Sequence, residues 1–379
     1  MAVSGITRPL RYSADMIHVD SGAIDVYLEQ LWERKGTDLL LTVGVPPLLR
    51  IDGAMLPAEG ADILDADRIE AMVMSLLPPP VLEEFEREKD ADFSFSWHDR
   101  ARLRANVFIQ RGAIGLSLRL IPIEIPSFED LGLPPVLERF VRVPRGLVLA
   151  TGPTGAGKST TLASMIDRIN QERRCHIITI EDPIEYVHSH KLSAINQREV
   201  GVDTNSFVRG IRAALRADPD VLLVGEMRDL DTIQTTLTMA ETGHLVFGTL
   251  HTNDTSQAID RLVDVFPTGR QAQIRVQLAA SLTGIVNQQL LPRVGGGQVA
   301  AFEILVATHA TRSLIREGKS NQLRNVVMTG QADGMQTLEA SLSKLLAEGA
   351  ITYEDALSRS LFPKEIIAPV GVVPDIVRV

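Results

Sequence analysis

The run Gly152-Pro-Thr-Gly-Ala-Gly-Lys-Ser159 constrains this chain more than any other stretch. It has the spacing of a phosphate-binding loop, two glycines five apart followed by lysine and a hydroxyl residue. The context fits as well. Gly146-Leu-Val-Leu-Ala150 reads as a buried strand, and Leu162, Met165, Ile166 and Ile169 follow at helical spacing. Phosphate is a dense negative charge that needs several donors converging on it. Glycines let backbone N–H groups turn inward without a Cβ in the way, and the helix N-terminus adds positive potential. The expected nucleotide-binding set is therefore Gly152, Pro153, Thr154, Gly155, Ala156, Gly157, Lys158, Ser159 and Thr160. Lys158 should reach the β- and γ-phosphates and Ser159 should ligate Mg²⁺, with ATP as the nucleotide. Met165 belongs to the core rather than to the ligand. No Asn-Lys-x-Asp run appears, which argues against guanine recognition.

Such a loop needs a parallel sheet around it, and the later sequence supplies one. Ile177 to Ile180, Val221 to Val224 and Leu245 to Leu250 are short and apolar on both faces, each followed by a loop or helix. That pattern is the signature of strands covered on both sides. The chain before it reads differently. A helix is expected over 22–35, strands at Asp38 to Thr42 and Leu48 to Ile51, and an Asp52-Gly53 turn. Helices near 66–77 and 80–88 follow, then alternating strands at 92–97, 102–111 and 113–120. Residues 18–120 thus read as a small α+β domain with an antiparallel sheet. Ile121-Pro-Ile-Glu-Ile-Pro126 begins the expected linker, 121–134, because two prolines favour extended chain. The P-loop domain is expected over 135–365. Past about residue 270 the pattern reads as mainly helical, with Met335, Leu338, Leu342 and Leu345 on one helix stopped by Gly349. Residues 1–17 read as a loose arm and 366–379 as a tail.

Bulk composition narrows the function. Of 379 residues, 45% are hydrophobic and 23% charged, enough for a real core. The net charge is −10, which weighs against a protein working mainly on nucleic acid, whose phosphates demand a basic surface. Cys175, the single cysteine, allows neither an internal disulfide nor a cysteine-based zinc site, and reads as a structural thiol in a reducing cytoplasm. No apolar run reaches the ~18 residues that span a bilayer, and no signal peptide is evident. Membrane association is expected to be peripheral only.

Three carboxylate and histidine clusters follow the loop. Asp220-Val-Leu-Leu-Val-Gly-Glu226 is an apolar strand ending in an acid, and Glu226 is the choice for the general base that orients a water. Thr179-Ile-Glu-Asp-Pro-Ile-Glu185 places Glu181, Asp182 or Glu185 near Mg²⁺ and that water; an acidic surface loop is the plainer reading of any one of them. His244 and His251 bracket a short strand, either as γ-phosphate sensors or as satisfied structural histidines. Arg104 and Arg119 lie on adjacent expected strands of the N-terminal domain, where spacing alone does not single them out.

Together these runs resemble the secretion and type IV pilus ATPase superfamily. GPTGAGKST at 152–160 is similar to its Walker A, TIEDPIEY at 179–186 to its Asp box, DPDVLLVGEMRD at 218–229 to its atypical Walker B, and TGHLVFGTLHT at 242–252 to its His box. All four stand in the family's order. Within it the chain looks most like the retraction branch, since Ala310-Thr-Arg-Ser-Leu-Ile-Arg-Glu317 is similar to that branch's signature helix. The four-cysteine zinc insert of extension and secretion ATPases is absent. The resemblance implies an α/β fold: a RecA-like P-loop domain, a PAS-like N-terminal domain at 18–120, and a helical C-terminal part. It implies Glu226 as catalytic glutamate, Glu185 as the Asp-box acid, His251 and His244 as His-box residues, and Arg104 and Arg119 as arginine fingers. It further implies a homohexamer at the cytoplasmic face of the inner membrane, working on a membrane-embedded platform protein of the pilus machinery. Hydrolysis would drive pilus retraction and twitching motility. Pilus extension, type II secretion, and a nucleotide-binding ring component without hydrolysis are the alternatives. The chain departs from the family pattern at Leu40, where many relatives carry histidine, and at Thr311 and Ser313 in the signature helix.

Overall fold

The computed structural model describes residues 22–51, 53–98, 100–122 and 124–367. The expected arm, Asp52 of the expected turn and all but the first two residues of the expected tail lie outside that set. The chain divides between positions 123 and 124 into two compact units.

The N-terminal unit comprises α1 (Asp25–Glu33), β1 (Asp38–Leu41), β2 (Leu48–Ile51), β3 (Ala54–Pro57), α2 (Ala66–Met74), α3 (Pro79–Glu88), β4 (Asp90–Trp97), β5 (Ala101–Gln110) and β6 (Ala113–Pro122). Its six strands form one sheet in the order β3-β2-β1-β6-β5-β4, antiparallel at every pairing. Alternation explains the sheet: Phe93, Phe95 and Trp97 of β4 all turn to the core, with Ser94 and Ser96 between them. The Trp97 indole donates to Asp25 Oδ1 at 3.0 Å, tying β4 to α1. The Asp65 carboxylate accepts from the Arg68 amide and starts α2 as an N-cap. Only β3 was not expected. It is short and largely exposed, so no apolar pattern announces it.

The C-terminal unit begins with α4 (Val136–Arg142), β7 (Gly146–Thr151), α5 (Lys158–Glu172), β8 (His176–Glu181), β9 (Ala194–Glu199), α6 (Phe207–Ala214), β10 (Val221–Val224), α7 (Leu230–Glu241) and β11 (Leu245–Leu250). It continues with α8 (Thr255–Asp264), α9 (Thr268–Ser281), β12 (Leu282–Pro292), β13 (Gln298–Val306), α10 (His309–Glu317), α11 (Leu323–Thr329), α12 (Leu338–Ala347) and α13 (Tyr353–Arg359). Seven strands run in the order β13-β12-β7-β11-β10-β8-β9. All neighbours are parallel except β12 and β13. Every residue of β7, β10 and β11 is buried, as a sheet covered by helices on both faces requires.

Two expectations about this half need correction. The region past residue 270 is not mainly helical throughout, because β12 and β13 intervene before the helices resume at α10. β12 carries Asn287-Gln-Gln289 in its middle, which breaks the apolar run that would have marked a strand, and β13 carries the buried Glu303. The expected linker is also structured. β6 runs on to Pro122, while Phe128 and Leu133 pack into the core of the parallel sheet. The departures from the family's signature helix find partners: Thr311 Oγ1 donates to the Val306 carbonyl at 2.9 Å, and Ser313 Oγ to Glu317 at 3.1 Å.

Candidate functional site

A parallel sheet lines up the carboxyl ends of its strands, and four of them meet here. Thr151 of β7 pairs with Leu250 of β11, while Val224 of β10 pairs with both Gly248 of β11 and Ile180 of β8. The phosphate loop, the Glu181 segment, the Glu226 segment and His251 therefore emerge along one edge, where ligands of open α/β sheets bind.

The loop itself is shaped by glycine and by β12. Gly152, Gly155 and Gly157 have φ of +137°, +77° and +83°. A Cβ on Gly152 would lie 2.2 Å from the Gln288 carbonyl oxygen, and one on Gly157 would lie 2.8 Å from the Gln288 amide nitrogen. Pro153, Thr154 and Ala156 complete the turn, and α5 begins at Lys158. The Lys158 ammonium is buried and donates to the carbonyls of Gly152 at 2.8 Å and Pro153 at 2.9 Å. Burial pushes its pKa down, while the nearby Glu226 and Glu185 carboxylates pull it back up. One turn on, Thr161 Oγ1 donates to Gln288 Oε1 at 2.7 Å, and the hydroxyls of Thr160 and Tyr186 lie 3.0 Å apart.

Glu226 stands two residues past β10 and is braced on both sides. Arg228 Nε lies 2.5 Å from its Oε1 and His251 Nε2 lies 3.2 Å from the same oxygen. Its backbone is pinned too, since Thr249 Oγ1 donates to the Gly225 carbonyl and the Met227 amide to the Thr249 carbonyl. Burial first, then the Lys158 and Arg228 charges, hold the His251 pKa below its usual value, against the opposing pull of Glu226. A neutral ring with Nε2 protonated donates to the carboxylate.

Ser159 faces a cavity of about 30 Å³ together with Glu181, Glu185, Gly225 and Thr249. Serine hydroxyl and carboxylate oxygens are the hard donors that Mg²⁺ takes, so this donor set fits the ion. Glu181 accepts from Thr179 Oγ1 at 2.6 Å and from Gln197 at 3.2 Å, and burial raises its pKa. Glu185 is exposed, and its charge reaches Lys158. On the other flank of the loop a groove of about 650 Å³ opens from Gly157, Thr160 and Gln288 toward Leu133 and Phe302, room enough for a nucleoside.

His244 is not part of this assembly, which corrects its expected place. It precedes β11, at the sheet edge opposite the loop, where its Nδ1 lies 3.0 Å from the Met239 carbonyl and its own carbonyl accepts from Gly146. That geometry is the satisfied structural histidine. Arg104 and Arg119 lie in the N-terminal unit, directly opposite one another on β5 and β6. Both are exposed; Arg119 Nε donates to Asp38 at 2.9 Å, while Arg104 has no ion-pair partner among the described residues. Like charges placed face to face are destabilising without an anion between them.

Several contributors went unmarked at the sequence level. Arg228 stood in plain view after Glu226, but nothing distinguished it from a surface arginine. Tyr186 lay inside the acidic run. Asn287 and Gln288 had no signal at all, because their strand was not recognised.

A family model described as "Type II/IV secretion system protein" matches residues 117–296. The "Type IV pilus retractation ATPase PilT" of Pseudomonas aeruginosa is 47% identical over 332 residues, 86% of this chain and 95% of that protein. The "Twitching motility protein" of Neisseria gonorrhoeae is 46% identical over 315 residues, covering 83% of this chain and 84% of the relative. Among solved structures, "Crystal Structure of the Pilus Retraction Motor PilT and Bound ADP" superposes with a TM-score of 0.84 at 48% identity, covering 89% of this chain and 97% of that one.

Proposed function

The chain belongs to the type II/IV secretion system ATPase family, and from that premise we propose that it is a ring-forming ATPase motor that powers type IV pilus retraction. The observation that carries the hydrolytic part is the Glu226 carboxylate, held by Arg228 and His251 at the strand edge that also bears the phosphate loop. A relative 47% identical along nearly its whole length bears retraction in its name, which supports the mechanical part.

ATP enters with its β- and γ-phosphates in the loop of residues 152–157 and its nucleoside along the adjacent groove. The Lys158 ammonium, now bonded to two loop carbonyls, exchanges them for phosphate oxygens. The Ser159 hydroxyl, with Glu185 and Glu181 nearby, would hold Mg²⁺, which when bound would neutralise charge on those oxygens. Glu226 orients the attacking water and takes its proton, a role worth about 10²–10⁴ in rate. Neutral His251 donates to Glu226 and keeps it aimed. Arg104 and Arg119 serve as arginine fingers, neutralising charge on the transferred phosphoryl group. Loss of the γ-phosphate removes its contacts with Lys158 and the loop, so the state that ATP favours loses its differential stabilisation. Six copies acting in sequence around a ring would turn a platform protein in the inner membrane and return pilin to the bilayer.

The direction of work is tested by deleting the gene and counting surface pili. Excess pili with loss of twitching is the expected result; bare cells would assign the chain to extension instead.

A further inference from the structure

Three consecutive residues in the middle of β12 are polar and buried: Asn287, Gln288 and Gln289 are 0%, 4% and 8% exposed. Polar side chains are costly there unless they do something an apolar residue would not. Asn287 sits beside Thr151 in the sheet register. Its amide nitrogen donates to Thr151 Oγ1 and to the Thr252 carbonyl, both at 3.0 Å. A backbone carbonyl only accepts, so the NH2 group must face Thr252 and the orientation of the amide is settled. Its Oδ1 is buried and without a hydrogen-bond partner among the described residues. An unpaired buried acceptor costs about 1–3 kcal/mol, which the two bonds donated to Thr151 and Thr252 offset.

The two groups Asn287 holds are each one residue from the chemistry. Thr151 precedes Gly152, whose carbonyl holds Lys158. Thr252 follows His251, whose ring touches Glu226. Next along β12, Gln288 braces the far end of the loop through Thr161. We propose that Asn287 is a positioning residue that couples the His251 segment to the phosphate loop, so that Glu226 and Lys158 keep a common register during turnover. The proposal rests on the nucleotide reading of the site given above. It assigns Asn287 no contact with nucleotide; it acts through His251 and Thr151.

A brace that merely holds the fold and a coupler that acts through His251 differ in what they disturb. In the full-length protein, Asn287→Leu is expected to leave the affinity for ADP within about twofold while lowering kcat for ATP about tenfold, the size of typical coupling energies. His251→Ala lowers kcat by itself, and adding Asn287→Leu to it should then lower kcat no further, since the two act as one unit. Thr151→Val, which removes the hydroxyl at the other end, should repeat the pattern and serves if Asn287→Leu does not fold. The same fractional loss of kcat in both His251 backgrounds, or ADP affinity falling in step with kcat, overturns the proposal. A wild type that hydrolyses no ATP and binds no ADP would remove the nucleotide reading, and this coupling with it.

Discussion

At the scale of single residues, Glu226 and His251 show how neighbours define a role. The His251 pKa lies below its usual value because burial and the Lys158 and Arg228 charges outweigh Glu226, so the ring is a neutral donor at working pH. Glu226→Gln should bind ATP as the wild type does and hydrolyse it about 10²–10⁴ times more slowly, measured by phosphate release alongside nucleotide affinity. His188 gives a separate handle, on stability. It is buried beside the Ser159 cavity, and its pKa is lowered to about 4, by burial first, with Asp167 opposing and Lys191 assisting. As a base it binds its proton more readily in the unfolded chain, so it favours folding fully above pH 6.5 and loses that contribution as pH falls toward 4. The wild type should therefore lose about 3 kcal/mol more than His188→Gln over that window in denaturant titrations.

At the scale of elements, the phosphate loop depends on β12 as its floor. Gly152→Ala sets a Cβ against the Gln288 carbonyl at a φ of +137°, a conformation that alone costs on the order of 1–3 kcal/mol outside glycine. Nucleotide affinity by calorimetry should fall at least about tenfold, with the melting temperature of the N-terminal unit unchanged. This dependence also explains what the sequence revealed and what it hid. β7, β8, β10 and β11 were legible because strands buried on both faces leave unbroken apolar runs. Glu226 was legible because it ends such a run at the right distance from the loop. β12 was not, since Asn287, Gln288 and Gln289 serve the loop and erase the pattern that marks a strand. β9 was missed for a related reason: Asn196-Gln-Arg-Glu199 is polar, as befits the edge of the sheet. His244 and His251 looked alike in sequence, and only the strand's direction separates them.

At the scale of the whole molecule, an acidic chain sets two arginines side by side on β5 and β6 and, among the described residues, pairs only one of them with an acid. That arrangement suits an anion supplied by turnover. Arg104→Gln should lower kcat by about 10³ or more with little change in ADP affinity, because the charge it answers develops only in the transition state. Surface pili should accumulate in cells carrying this variant in place of the native chain, as in the deletion. No helix among the described residues is long and apolar enough to cross a membrane. The most direct test of the whole account is phosphate release by the purified chain with saturating ATP and Mg²⁺, set against Lys158→Ala and Glu226→Gln. Steady release by the wild type and near-background release by both variants is the predicted result; variants that match the wild type would contradict it.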